Sequence, residues 1–585
     1  MTYAAPVADM AAVLKGAAGI DRAVAEGLYG ELAVEDVTSI LEEAGRFAGD
    51  VIAPLNRVAD DKGTPLADGR VTMPPGFKDA YKAWAEAGWN ALPGPEDYGG
   101  QGLPLTVSVA CTEMWNAASM SFGLGPLLTV GAVEALDKHG SRELKERYLA
   151  KLVSGEWMGT MNLTEPQAGS DLAALRTKAV PAGDGTYRIT GTKIFITYGE
   201  HDLTDNIVHL VLGRLPDAPA GTRGISLFLV PKVLPDGTMN DLRCAGVEHK
   251  LGIHGSPTCT MVYGDGPGAV GWLIGEENRG LACMFTMMNN ARLNVGIQGV
   301  AVAERAYQGA LAYARERKQG RAPGASGPGM SPIVEHPDIQ RMLLTMKALT
   351  MASRAICYLT AACLDRAARA TEAEDRGRAA ARGSLLTPVA KAFSTDIGNE
   401  VASLGVQIHG GMGFVEETGA AQHMRDARIL PIYEGTNGIQ AIDLVTRKLP
   451  LGGGGVVGEE IAAMRATVKA LMNKGEVFGA TAARLRDAVE SLDRATSFLA
   501  KAVAGNDPIP ALAGATPYLR LFGLARGGTL LADIALADGD EVAARGRVAL
   551  CRFFAENLAT AAGGLEASIL GGAGFAEDAE LALAS

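Results

Sequence analysis

Between about residues 159 and 275 the spacing of apolar residues changes character, and that change limits what the chain can become. On either side, apolar residues recur every three or four positions, the period of a helix with one buried face. Inside this window, β-branched and aromatic runs at 187–197, 206–212, 225–230 and 258–263 lie between Asp184-Gly185, Asp236-Gly237 and Gly264-Asp265-Gly266. Short runs between turn residues predict a compact antiparallel β-domain. Upstream, residues 37–48 and 107–119 predict helices, with Pro93-Gly94-Pro95 as a break between them. Downstream, Leu293, Ile297, Val300, Ala303, Tyr307, Ala310 and Ala314 would line one face of a helix of about 30 residues. A loop at 320–332 follows, then a second long helix from about Pro337, and a third from near Ser384 to about His409. Glycines at 452–455 predict a linker, beyond which about four more helical stretches include 481–502 and 542–562. The expected division is a helical domain at 1–158, a β-domain at 159–275, helices at 276–449 and an extra helical module at 458–585.

A chain of 585 residues exceeds what one hydrophobic core organises, in keeping with that division. Hydrophobic residues make up 48% and charged ones 21%, an ordinary globular balance, and abundant Ala and Gly favour closely packed helices. The net charge of −12 opposes binding to nucleic acid or anionic lipid, since that binding begins by neutralising phosphates. Seven cysteines, none in a C-x-x-C pair, suggest neither a disulfide framework nor a zinc site. The start of the chain lacks a cationic segment followed by an apolar stretch, and no window of about 18 apolar residues occurs. A cytoplasmic protein without a membrane span is expected.

Four runs carry residue types suited to chemistry. Met161-Asn162-Leu163-Thr164-Glu165-Pro166-Gln167-Ala168-Gly169-Ser170-Asp171 combines small residues, a Pro-fixed turn and hydroxyls. It could present N–H groups and hydroxyls to a planar anion, or be a turn rich in local hydrogen bonds. In Gly191-Thr192-Lys193-Ile194-Phe195-Ile196-Thr197 an aromatic ring and a hydroxyl two residues apart would share one strand face. That face could flank a flat ligand, or belong to a plain strand. Gln407-Ile408-His409-Gly410-Gly411-Met412-Gly413-Phe414 permits close backbone approach, or simply ends a helix. In Ile432-Tyr433-Glu434-Gly435-Thr436 a carboxylate sits in an apolar-flanked turn. Burial there would raise its pKa towards that of a base useful at neutral pH; otherwise it is a solvated charge.

Together, T-E-P-x-A-G-S-D at 164–171, K-x-(aromatic)-I-T at 193–197, E-R-K at 316–318, Q-I-x-G-G-x-G-F at 407–414 and Y-E-G-T at 433–436 follow the order and approximate spacing of the acyl-CoA dehydrogenase family. The chain resembles that family over about residues 40–448. The resemblance implies an α+β multidomain fold: a helical N-domain, a β-barrel-like middle domain and a C-terminal four-helix bundle, with the module past residue 450 added. Its length makes it most similar to the long bacterial members, which implies a short-chain acyl-CoA substrate. FAD is the implied cofactor, with Leu163, Thr164, Gly169 and Ser170 on one side of the flavin and Phe195, Ile196 and Thr197 on the other. Arg317 resembles the Arg that reaches FAD phosphates across a subunit interface, with Gln407, Gly410 and Gly411 along the adenosine half and Thr436 just after the base. Ser170, Asn289, Arg292 and Gly435 occupy positions that meet the acyl-CoA. Glu434 is the implied catalytic base, and no metal is implied.

Several residues depart from the family pattern. Phe195 stands where Trp is frequent, the run from Arg317 to Arg321 lacks the aromatic of R-K-T-F-G, and Gly438 replaces a common Gln. The implied partners are electron-transfer flavoprotein as acceptor and a second copy of the chain, in a homodimer or larger homo-oligomer. An oxidase using O2 and a DNA-associated flavoprotein are the alternatives within the same fold. Acidic residues outnumber basic ones beyond residue 450, which opposes DNA binding. A nicotinamide enzyme is disfavoured because no G-x-G-x-x-G sits between a strand and a helix. His249 and His254 are not joined by a second ligand pair, which opposes a metal site.

Overall fold

The computed structural model describes residues 3–326, 328–505, 507–537 and 542–584. After a short helical arm, the principal N-terminal helices are α1 (Val34–Phe47), α2 (Phe77–Glu86), α3 (Leu105–Ala118), α4 (Met120–His139) and α5 (Arg142–Ser154). Helices α3 and α4 are buried on nearly every side, which is why their composition is apolar all round rather than on one stripe.

The eight strands of the large sheet follow: β1 (Met158–Asn162), β2 (Lys178–Pro181), β3 (Tyr187–Thr197), β4 (Ile207–Gly213), β5 (Ser226–Pro231), β6 (Leu242–Val247), β7 (Thr258–Tyr263) and β8 (Ala269–Ile274). Their order is β1-β4-β5-β8-β3-β7-β6, with β2 beside β3. Every pair is antiparallel except β1 with β4, where Met158 faces Ile207 and Asn162 faces Val211 in parallel. The fully antiparallel expectation is corrected at that pair. The β2–β3 hairpin between the two strands gives the chain enough length to return to the same end of the sheet, which a parallel pair requires.

Three long helices form the next layer: α6 (Gly280–Glu316), α7 (Pro337–Arg369) and α8 (Ala373–His409). The third begins eleven residues before the expected Ser384. Its first turn holds Glu374 and Asp375, acids that favour a helix N-terminus, and Gly383 faces Leu364 on α7 instead of breaking the helix. The abundance of small residues has a direct use here. A Cβ at Gly296 would lie 2.6 Å from the Ala390 oxygen, and one at Gly299 only 2.3 Å from the Ser394 oxygen, so α6 and α8 meet backbone to backbone.

Two short helices, α9 (Ala420–Ala427) and α10 (Asn437–Asp443), lie against α8. The 452–455 run is a tight turn: Gly452, Gly453 and Gly454 all take positive φ, and α11 (Gly455–Met472) starts at the fourth glycine. Then come α12 (Thr481–Ala504), α13 (Ile509–Ala537), α14 (Val542–Phe553) and α15 (Ala562–Gly571). Helix α14 stops short of the expected 562, and one wider turn, Phe554–Leu558, carries the chain on. The added module is fused to the bundle. A Cβ at Gly523 on α13 would meet the Phe393 ring of α8 at 2.1 Å, and α13 also packs on α10. No helix among the described residues is long and apolar enough to cross a membrane.

Candidate active site

Glu434 lies in the turn between α9 and α10, and its φ of 57° is unusual for a residue with a side chain. Gly435 follows at φ 85°, and the Thr436 hydroxyl caps α10 by accepting from the Ile439 N–H at 3.3 Å. Such a turn persists only where its surroundings fix it. The ammonium of Lys391 on α8 donates to the Gly435 carbonyl at 2.9 Å and to Asn437 Oδ1 at 2.8 Å. Asn437 Nδ2 donates to Asp396 Oδ1 at 2.7 Å and to the Ala392 carbonyl at 3.1 Å. From the far side of the turn, Gln440 Nε2 reaches the Gly435 carbonyl at 3.3 Å. The Tyr433 hydroxyl donates to Gln298 Oε1, and Gln298 Nε2 to Asn116 Oδ1 at 3.0 Å, which ties the turn to α6 and α3.

The Glu434 side chain is half-buried, and among the described residues nothing hydrogen-bonds its carboxylate. Desolvation raises its pKa, opposed by the positive charges of Arg292 and Lys391. Burial draws Lys391 down to about 7, against the pull of Glu434 and Asp396. Arg292 is likewise lowered by burial; its nearest carboxylate is Asp443 at 4.0 Å, and its Nε finds no partner among the described residues. The turn therefore holds a carboxyl whose pKa burial raises, beside Arg292 and Lys391.

The sheet gathers a second group. The fully buried Lys193 donates to Glu165 Oε1 at 2.8 Å and to the Leu163 carbonyl at 3.0 Å. Glu165 also accepts from the N–H groups of Arg176 and Thr177 and from the Thr177 hydroxyl. Burial would raise Glu165, but Lys193 and these donors bring it to about 2, while burial lowers Lys193 to about 8 despite its partner. The Ile194 N–H donates to the Thr164 carbonyl, and the Thr160 hydroxyl to the Thr197 carbonyl. These bonds bring the 163–164 and 195–197 segments side by side. Phe195 sits where the β3–β7 register shifts, at φ 59°, and the residue is 58% exposed. Ile196 is buried in the core. Gly169 and Ser170 are exposed on the loop after Glu165.

Four expected residues stand elsewhere. Arg317 is exposed and its side chain donates to Gln319 within its own loop, while Gln407, Gly410 and Gly411 are exposed at the end of α8. Gln407 lies sixteen residues from Lys391 on one continuous helix, about 24 Å at 1.5 Å per residue. Phe414, 88% exposed, follows the glycines. The side chain of Asn289 lies outside the described residues. Lys391, Gln298 and the Glu165–Lys193 pair were not singled out from sequence. The available signal for Lys391 was one lysine in the otherwise uncharged run 385–393.

Comparison with known proteins bears directly on this geometry. Family profiles match in chain order: the acyl-CoA dehydrogenase N-terminal domain at 35–156, the middle domain at 160–265, the C-terminal domain at 278–449 and the acetyl-CoA dehydrogenase C-terminal-like domain at 460–579. Over 571 residues the chain is 50% identical to the 3-methylmercaptopropionyl-CoA dehydrogenase of Ruegeria pomeroyi, covering 96% of this chain and 95% of that one. The chain belongs to the acyl-CoA dehydrogenase family. A butyryl-CoA dehydrogenase of Syntrophomonas wolfei is 40% identical over 433 residues, 71% of this chain and 70% of its own. Among solved structures, a Bacillus anthracis acyl-CoA dehydrogenase complexed with FAD superimposes with a TM-score of 0.76 at 22% identity, over 92% of this chain and 89% of that one. Within the family fold, the Glu434 turn, the exposed Phe195 bulge and the glycines after α8 are distinct places on one framework.

Proposed function

We propose that this chain is an FAD-dependent dehydrogenase that turns a short acyl-CoA thioester into its trans-2-enoyl-CoA, with Glu434 as the base. The observation that carries the reading is an unbonded carboxylate, desolvated and flanked by Arg292 and Lys391, in a turn that hydrogen bonds hold in a costly conformation. The α-hydrogen of a thioester is weakly acidic, so its removal needs a base and donors for the developing enolate oxygen. Glu434 takes the α-proton. Its own backbone N–H has no backbone acceptor among the described residues and is available to the thioester oxygen. The positive charges of Arg292 and Lys391 favour the ionised carboxylate, against the burial that raises its pKa.

FAD suits the residues present: the exposed Phe195 ring and the adjacent Leu163–Thr164 segment offer a platform for a flat ring system. Around Gly410 and Gly411 there is open space for close approach. When bound, FAD supplies the two-electron acceptor for the hydride that leaves the β-carbon. Ser170, Thr197 and Thr436 would line its ring system, and Arg292 and Gly435 the thioester. Because Gln407, Gly410 and Gly411 are remote from the turn along α8, and Arg317 stands exposed just past the end of α6, they suit the cofactor of a second copy, which makes the working unit a homodimer or larger. Identity to the Ruegeria enzyme over nearly the whole length favours 3-(methylthio)propanoyl-CoA as substrate, and the acceptor we propose is electron-transfer flavoprotein, as the family resemblance implies.

The test is anaerobic. A panel of acyl-CoAs is added to the purified protein, wild type and Glu434→Gln, and flavin absorbance is followed. Bleaching of the wild type by short thioesters, 3-(methylthio)propanoyl-CoA foremost, with Glu434→Gln silent, supports base, cofactor and substrate class together. Absence of bound flavin, or no bleaching by any thioester, refutes the enzyme reading.

A further inference from the structure

Lys391 is a fully buried cation that the reaction does not consume, and burying an ammonium is costly unless something specific holds it. Its two hydrogen bonds go to the residues that bracket Thr436: the Gly435 carbonyl and the Asn437 side chain. Both lie within three residues of Glu434. The same Asn437 is bound from α8 a second time, through Asp396 and the Ala392 carbonyl. One turn of α8 therefore grips the segment just after the base at several points, and its single positive charge lies inside that grip.

Resting on the reading of Glu434 as the base, we propose that Lys391 is its positioning residue: it clamps the left-handed turn that aims the carboxylate and supplies charge that favours its ionised form. The two parts are separable. The clamp needs only a donor reaching Gly435 and Asn437, while the electrostatic part needs the charge. The charged groups facing Lys391 are Glu434 from the turn, Arg292 from α6 and Asp396 from its own helix. Asp396 in turn faces Arg520 on α13 and Glu400 one turn along α8. Arg292 has the same sign and also favours the carboxylate, so removing Lys391 weakens this bias without abolishing it.

Loss of an opposite charge makes a carboxyl harder to ionise, which moves the acid limb of a base-dependent rate to higher pH. Loss of the clamp misplaces the carboxylate, and about 1 Å of misplacement can cost on the order of 10²-fold in rate. The experiment compares full-length wild type, Lys391→Met, Lys391→Gln and Glu434→Gln, each with its flavin content and thermal midpoint measured. The readouts are kcat and KM for the best thioester and kcat/KM across pH.

The expected result is that Lys391→Met loses on the order of 10²-fold in kcat with a smaller change in KM, and its acid limb moves up by about one pH unit. Lys391→Gln, which retains a donor, recovers part of kcat but keeps the displaced limb. If Lys391→Met does not fold, the displaced limb of Lys391→Gln carries the test alone. An unmoved acid limb in every folded variant, with activity lost only in step with flavin content or thermal midpoint, makes Lys391 a structural strut and overturns the proposal. Turnover by Glu434→Gln would instead sink the base assignment, whatever Lys391 does.

Discussion

Replacing Gly299 by Ala probes whether the bundle depends on direct backbone contact between α6 and α8. The new Cβ would lie 2.3 Å from the Ser394 oxygen, 2.6 Å from its carbonyl carbon and 2.8 Å from the Thr395 nitrogen. All three are backbone atoms of a buried helix, so no side chain can swing aside, and ordinary contact requires the helices to part by about 1 Å. Overpacking of this kind costs about 1–3 kcal/mol, and rigid neighbours place this case near the upper end. Alanine returns about 1 kcal/mol of helix propensity, leaving a net loss of about 2 kcal/mol. For a cooperative unit the size of this bundle that is a fall of about 4–8 °C in thermal midpoint, readable by calorimetry or circular dichroism. Gly377, exposed on the same α8 with open space around its Cβ, is the control: there Ala should leave the midpoint unchanged or raise it. Because Arg292 and Lys391 lie on the two helices being separated, Gly299→Ala should also lower kcat. A Gly299→Ala protein as stable as wild type would refute the backbone-contact argument.

Two further outcomes follow from buried groups. Glu165→Gln strips the counter-charge from buried Lys193 and should cost about 3–5 kcal/mol, measured by thermal unfolding at neutral pH. It should also weaken flavin retention, since Lys193 holds the Leu163 carbonyl. The Glu165 pKa is depressed to about 2, so its contribution is complete above the unfolded carboxyl pKa of about 4.3 and is lost as pH falls through 2. The stability gap between wild type and Glu165→Gln should therefore close across that acid range; a constant gap would contradict the assignment. All seven cysteines are buried, and burial pushes the thiols of Cys111, Cys357 and Cys551 up to about 12. A thiol reagent such as Ellman's should label none in the native protein and seven after denaturation; rapid native labelling would show that these sites open.

The succession of helices, sheet and helices was legible because period is a local property: strand β3 and strand β7 coincide with the expected runs at 187–197 and 258–263. The parallel pairing of β1 with β4 was not, since strand direction depends on how the chain returns over tens of residues. The early start of α8 was hidden because Gly383-Ser384 has the composition of a break, whereas Gly383 is used for packing on α7. Within the site, Glu434 was legible as a carboxylate in an apolar setting, and Phe195 as an aromatic on a strand. What holds them was not. Lys391 is 43 positions from Glu434 and Lys193 is 28 from Glu165, and neither pairing has a spacing that local rules read. The left-handed backbone at Phe195 and Glu434 also escapes propensity, which would place neither residue type there.

Helix α8 runs 37 residues without interruption, carrying Lys391 near its middle and Gln407 near its end. Such a rod measures out phase as well as distance. One residue inserted between those positions would advance Gln407 by about 1.5 Å and rotate it by about 100° relative to Lys391. Substitutions on its exposed face can accumulate freely, but a change in length would set the two ends out of register at once. The number of residues between 391 and 407, more than which residues fill the exposed face, therefore sets how the two ends of the helix are placed.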